Sequence, residues 1–260
     1  MKECHADALE TAVFAGNILL ESGAEIFRVE ETVLRIAKAY GVQSCNTFVL
    51  SSGLFTTAGG PREEYFAQVR HIPLRAVRLD KVELVNQLSR EIVEGKHTVE
   101  EAYAALQEIA NRPKKDKRLR TLACGLGAGS FCYFFGGTIM DCLAALCCGL
   151  VLHLYLLLLE GKKLSKITTN VTAAAVSTLC AILACQVGLG QNLNPVIIGS
   201  IIPLVPGVSF TNAIRDIADG DYIAGSVRLL DALLIAFCIA GGVGIVYTLA
   251  LRILGGGMLL

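Results

Sequence analysis

Charge is scarce in this sequence. Asp, Glu, Lys and Arg make up 18% of its 260 residues, where a soluble domain carries roughly a quarter. Of the 46 charged side chains, 34 lie in residues 1–120, so the first part can be solvated and the rest mostly cannot. No sign is in excess, with 23 basic and 23 acidic residues, which argues against a nucleic-acid partner. The ten cysteines contain no C-x-x-C pair. Eight of them (Cys124, Cys132, Cys142, Cys147, Cys148, Cys180, Cys185 and Cys238) fall in apolar stretches, where they read as small packing residues rather than a disulfide or zinc framework. Met1-Lys2-Glu3 leads into an amphipathic pattern and not an apolar signal core, so the N-terminal region is expected to stay in the cytoplasm. There is no zinc spacing, no glycine-rich phosphate loop and no nucleophile–base set. The chain is therefore expected not to be an enzyme, with no catalytic residue, metal or cofactor.

What is present divides in two. In residues 5–23, Leu9, Val13, Gly16 and Leu20 recur at helical spacing. A second helix carries Ile26, Val29, Val33, Ile36, Ala37 and Tyr40 on one stripe and stops at Gly41. Residues 43–58 are rich in Thr, Val and Phe and read as a strand, or as two with a break at Gly53. Gly59-Gly60-Pro61 reads as a turn, Tyr65–Ile72 as the next strand and Arg75–Leu79 as a short third one. Asp80 is expected to cap a helix to about Gly95, and Thr98-x-x-Glu101 opens another as a capping box. The expectation is a cytoplasmic α+β domain over 1–118.

Lys114, Lys115, Lys117, Arg118 and Arg120 then flank the first of five apolar segments, at about 119–138, 140–159, 167–188, 194–212 and 225–252. Each can cross a hydrocarbon core of about 30 Å. Lys162, Lys163 and Lys166 follow segment two, and Arg215 and Arg228 follow segment four or open segment five, while the loops after segments one and three carry no Lys or Arg. This alternation predicts a five-helix transmembrane domain over 119–260 with the N-terminus inside and the C-terminus outside. His153, midway along segment two, reads as a packing or hydrogen-bonding residue ahead of a proton relay. Gly125-x-x-x-Gly129, with Gly127 between, and Gly241, Gly242 and Gly244 allow close helix approach.

Segment four holds Pro203 and Pro206, each of which frees a carbonyl from the helical ladder, followed by Gly207, Ser209, Thr211 and Asn212. One reading is a helix broken in mid-membrane, with N–H groups from Gly207 onward aimed at an anionic solute; the other is a plain proline kink. Beyond it come Arg215, Asp216, Asp219 and Asp221. Arg228 and Asp231, three apart, share a helix face, so Asp231 is either a proton or solute group inside the bundle or half of an interfacial pair with Arg228. In the first domain, Gly23-Ala-Glu25-Ile-Phe-Arg28-Val-Glu30 places Glu30 roughly 40° from Ile26, beside the apolar stripe. A carboxylate there needs a partner: a bond to a neighbouring strand, or, less favoured, metal binding or catalysis.

These two motifs, Gly23–Glu30 and Pro203-Leu-Val-Pro206-Gly207 through Asn212-x-x-Arg215-Asp216 to Gly225-x-x-Arg228, resemble those of the threonine/serine exporter family, to which a two-component bacterial dicarboxylate (succinate) exporter also belongs. Where members commonly carry Thr after the first Glu, this chain has Ile26. The resemblance implies a proton-driven exporter of small carboxylated metabolites in the bacterial cytoplasmic membrane. It implies the large subunit of a split exporter, partnered by a separate membrane protein of four or five spans; a homo-oligomer is left open. On this reading Arg215 or Arg228 attracts the solute carboxylate, the N–H groups after Pro206 hold it, and Asp231 couples protons. The competing readings are a membrane-anchored hydrolase-like enzyme centred on Glu30 and a sensory or scaffolding membrane protein.

Overall fold

The computed structural model describes residues 2–42, 44–59, 66–72, 77–162 and 164–254. The chain divides into two compact units. One comprises Met1–Pro113 with Gly207–Leu230, and the other Lys114–Pro206 with Asp231–Leu260. The first unit thus takes in a second stretch of chain, parts of which the sequence reading places in spans four and five.

The first unit begins with α1 (Lys2–Glu21) and α2 (Ile26–Ala39). α1 is its central helix, packed against α2 and the later helices α3 (Leu79–Val93) and α4 (Val99–Asn111). The sequence marks one apolar stripe on α1, but Ala8, Ala12, Ala15, Ile18 and Leu19 are buried as well as Leu9, Val13 and Leu20. The small side chains let neighbours approach from several sides: a Cβ on Gly16 would sit 2.5 Å from Cγ2 of Val33. α2 buries Ile26, Val29, Val33, Ile36 and Ala37, the stripe read from the sequence. Gly23 takes φ +81°, a conformation that glycine adopts without steric cost. It ends α1 with Ala24 donating back to the Leu19 carbonyl at 3.0 Å, a left-handed cap that turns the chain into α2.

Three antiparallel strands follow, β1 (Cys45–Leu50), β2 (Gly53–Ala58) and β3 (Phe66–His71), in the order β1-β2-β3. Leu50 pairs Gly53 and Phe48 pairs Phe55, so the break expected at Gly53 is a hairpin closed by Ser51-Ser52. The inner face buries Val49, Leu54, Thr56 and Ala58. The Gly59–Pro61 turn and the start of the next strand at Tyr65 lie largely outside the described residues, as do Arg75 and Ala76 of the third short strand. The remainder of that strand is corrected: Val77 and Arg78 carry no strand, and Leu79 opens α3. Asp80 does not cap it. The helix opens at Leu79 with Arg78 in the N-cap position, so Asp80 lies inside the first turn, where Arg78 Nε and Nη2 each donate to its carboxylate at 2.8 Å. α4 opens on the expected capping box, with Thr98 Oγ1 accepting from the Glu101 amide and the Glu101 carboxylate accepting from the Thr98 amide. Two later elements complete the unit: α9 (Gly207–Ala218) and the first turns of α10 (Tyr222–Leu254).

The second unit is helical. It contains α5 (Lys117–Phe134), α6 (Ile139–Leu159), α7 (Lys166–Gln186), α8 (Leu193–Ile201), a 3-10 turn (Ile202–Leu204) and α10 from Asp231 onward. α5 packs along α6 and α8, and glycine permits it. A Cβ on Gly129 would lie 3.0 Å from the Cys142 carbonyl, and one on Gly199 2.6 Å from the Ala128 carbonyl. α6, α7 and α10 are long and apolar enough to cross a membrane, and Leu193–Leu204 with Gly207–Ala218 makes a fourth crossing if that interrupted pair is one span. α5 begins with Lys117, Arg118 and Arg120 and falls outside that set.

Candidate functional site

The Gly23–Glu25 loop turns two backbone carbonyls toward α9 and α10 within the first unit. Asn212 Nδ2 donates to the Gly23 carbonyl at 3.0 Å, and Arg228 Nη2 donates to the Ala24 carbonyl at 3.0 Å. The other guanidinium nitrogen of Arg228, Nη1, donates to Asp216 Oδ2 at 2.8 Å. The remaining oxygen, Asp216 Oδ1, accepts the Ile26 amide at 3.2 Å. Glu25 occupies the N-cap position of α2 but makes no side-chain cap. The first turn of α2 is instead capped by a carboxylate 190 residues away in sequence, which also places a negative charge on the positive end of the helix. Close approach between α9 and α10 requires Gly225, where a Cβ would meet the Ala213 carbonyl at 2.9 Å.

Two acid–arginine pairs lie side by side here with opposite characters. The Asp216 and Arg228 side chains are 2% and 6% exposed, and both partners have their second atom engaged. Removing either one strands a buried charge. Arg215 Nη1 donates to Glu25 Oε1 at 2.9 Å, but Arg215 is 57% exposed and Glu25 20%. Such a pair in water contributes about 0–1 kcal/mol.

Glu30 sits one turn further along α2. Its Oε1 accepts the Val49 amide at 3.0 Å, so it bonds to the neighbouring strand, as the structural alternative for it anticipates. Burial pushes its carboxyl pKa upward, the Val49 amide opposes this, and the Asp221 charge adds to the rise. Arg28 points away, exposed, with Glu31 at 3.5 Å.

The interruption lies where the prolines predict it. α8 ends at Ile201, Pro203 sits in the 3-10 turn, Val205 is extended with ψ 127°, and α9 starts at Gly207 directly after Pro206. A Cβ on Gly207 would meet nothing within 4 Å. Thr211 turns its hydroxyl back to the Gly207 carbonyl at 3.0 Å, and Ser209 is half-buried. The residues marked in the sequence therefore separate into groups. Glu25, Asn212, Arg215, Asp216 and Arg228 form one network, and Pro203, Pro206 and Gly207 mark the interruption. Arg28 joins neither. The pairing of Arg228 with Asp231, offered by their i,i+3 spacing, is not formed: Arg228 is taken by Asp216, and both oxygens of Asp231 accept from Lys166 Nζ, at 2.8 and 2.6 Å.

Sequence reasoning missed Asp141. It is fully buried, and its carboxylate accepts from Thr138 N and Oγ1, Gln191 N, Asn192 N and Asn192 Nδ2 at 2.6–2.9 Å. One side chain thereby joins the α5–α6 turn to the residues that open α8. Thr138-x-x-Asp141 ahead of an apolar run is a capping pattern and was the available signal. In the same unit His153 Nδ1 lies 2.8 Å from Thr121 Oγ1, a helix–helix hydrogen bond, and Ser177 donates to Ser200 at 2.9 Å between α7 and α8.

The motifs that meet at Asp216 and Arg228 are those on which the family resemblance rests, and comparison with known proteins agrees. A family described as "Putative threonine/serine exporter" (ThrE) matches residues 10–250. A curated relative from Mycobacterium tuberculosis, named "Probable threonine/serine exporter", is 26% identical over 247 residues, which cover 90% of this chain and 45% of the relative. The chain thus spans about half the length of that relative. No solved structure matches it. The chain belongs to the threonine/serine exporter family.

Proposed function

We propose that this chain is one subunit of a secondary exporter that carries a small carboxylate metabolite, an amino acid such as threonine or serine or a C4 dicarboxylate such as succinate, across the bacterial cytoplasmic membrane. The observation that carries the reading is the interruption at Val205-Pro206 within an otherwise apolar helical stretch. Peptide groups freed from a helix in hydrocarbon must be met by protein or water, and transporters use such breaks at their solute sites. A membrane anchor has no use for one.

In this reading five segments cross the membrane, α5 with its basic first turn at the cytoplasmic face, with 1–118 on the cytoplasmic side and the C-terminus outside. Access alternates around the interruption. Arg215, exposed and with one guanidinium nitrogen engaged, receives the solute carboxylate from the cytoplasm, and the amides following Pro206 hold it. Arg228 is better suited to holding the fold, since both its Nη groups are taken. Asp231 couples protons by exchanging the Lys166 ammonium for a proton. The mycobacterial relative is about twice as long as the part that matches, which leaves room for a further unit working with this one. We assign that unit to a separate small subunit of four or five spans.

Proteoliposomes loaded with radiolabelled threonine, serine or succinate test this. Efflux driven by a proton gradient is expected for at least one solute when the small membrane subunit is present. Asp231→Asn should abolish the response to the gradient while leaving slow downhill efflux. Efflux with unaltered pH dependence in Asp231→Asn removes the coupling role, and no efflux of any carboxylate solute removes the exporter reading.

A further inference from the structure

We propose that the Glu25 carboxylate is a built-in competitor for the transported carboxylate, occupying the Arg215 guanidinium until the solute displaces it. The inference rests on Arg215 as a carboxylate contact and adds the group of this chain that competes for it. Glu25 offers Arg215 a single hydrogen bond, Nη1 to Oε1 at 2.9 Å, whereas a free carboxylate can engage the guanidinium fork with both oxygens. More than half of the Arg215 side chain is exposed, so a solute can reach it. The existing pair is of the weak, solvent-screened kind, and displacing it costs little.

The rest of the network makes the exchange local. The Gly23 and Ala24 carbonyls remain held by Asn212 and Arg228, and the Ile26 amide by Asp216. Glu25 contributes no cap to α2, so its side chain can leave Arg215 without uncapping the helix or freeing the loop. The neighbouring Asp216–Arg228 pair fixes the backbone, and the Glu25–Arg215 pair is the part free to change partners. The Glu25 charge thereby discriminates against solutes without a carboxylate, which cannot replace it at Arg215.

Binding of succinate and of L-threonine to the full-length protein in lipid nanodiscs tests the proposal. Glu25→Gln should tighten binding of the recognised probe about three- to fivefold, the equivalent of up to about 1 kcal/mol of removed competition. Glu25→Asp, one methylene short of Arg215, should tighten it comparably and serves if Glu25→Gln does not fold. Arg215→Gln should weaken binding at least tenfold. If Arg215→Gln weakens binding but both Glu25 variants bind as the unaltered protein does, or less tightly, the competitor role is overturned and Arg215 keeps its function. If Arg215→Gln binds normally, the carboxylate role of Arg215 fails and the competitor role fails with it.

Discussion

Asp216 and Arg228, twelve residues apart on either side of the α9–α10 turn, meet at 2.8 Å with almost no solvent contact. Each also reaches the loop that opens α2, Asp216 at the Ile26 amide and Arg228 at the Ala24 carbonyl. One buried ion pair therefore ties the two most distinctive motifs of the chain together within a single compact unit. That arrangement makes Gly23–Glu30 a socket for α9 and α10.

Breaking this pair from one side should be far worse than replacing it whole. Asp216→Ala leaves Arg228 buried without a counter-charge and α2 without its cap, and is expected to cost about 3–5 kcal/mol. Asp216→Leu combined with Arg228→Met removes both charges and should recover a large part of that loss. Thermal unfolding of the three proteins in detergent checks this. A double variant no more stable than Asp216→Ala would show that the hydrogen bonds to the loop, and not charge pairing, dominate.

The glycines of α10 should differ sharply in tolerance. A Cβ on Gly242 would lie 2.3 Å from the Val171 carbonyl and 2.9 Å from Cβ of Ala174 on α7, while Gly241 and Gly244 have nothing within 4 Å. Gly242→Ala must push the two helices apart and should cost about 1–3 kcal/mol. Gly244→Ala should be neutral or stabilising by up to about 1 kcal/mol, through better helix propensity. Equal melting temperatures for the two variants would contradict this packing of α7 on α10.

Glu30 predicts a pH dependence. Its carboxyl titrates above the ordinary value of 4.5, first because it is buried, so the folded state holds the proton more tightly than the unfolded one. Stability from this group is then fully present below pH 4.5 and is lost as pH rises through the elevated folded pKa. Gln at this position keeps an oxygen for the Val49 amide and carries no charge. The melting temperature of Glu30→Gln relative to the unaltered protein should therefore rise between pH 4 and pH 7. A difference that is flat or falls across this range would remove the burial argument.

Some of these features were legible in the linear chain because they are set by neighbours in sequence. The α2 stripe, the Thr98–Glu101 capping box, the break at Gly53 and the one after Pro203 depend on helical period, on side chains three residues apart, or on the backbone character of glycine and proline. Others misled for the same reason. Local spacing offered Arg228 the nearby Asp231, but the buried Asp216 carboxylate takes it; Asp80 looked like a cap, but α3 opens one residue before it.

By itself, the sequence determined that about half of this protein is too apolar to live in water, which stretches of it are helical, and that two prolines must break or kink one of them, because hydropathy and backbone chemistry act over a few residues. Only the tertiary structure decided that Asp216 caps α2 from 190 residues away, that Asp141 gathers five donors from two turns, and that Arg215 rests on Glu25. A buried charge takes whichever partner folding brings to it, and that choice is made by chain topology and desolvation, neither of which is written in local spacing.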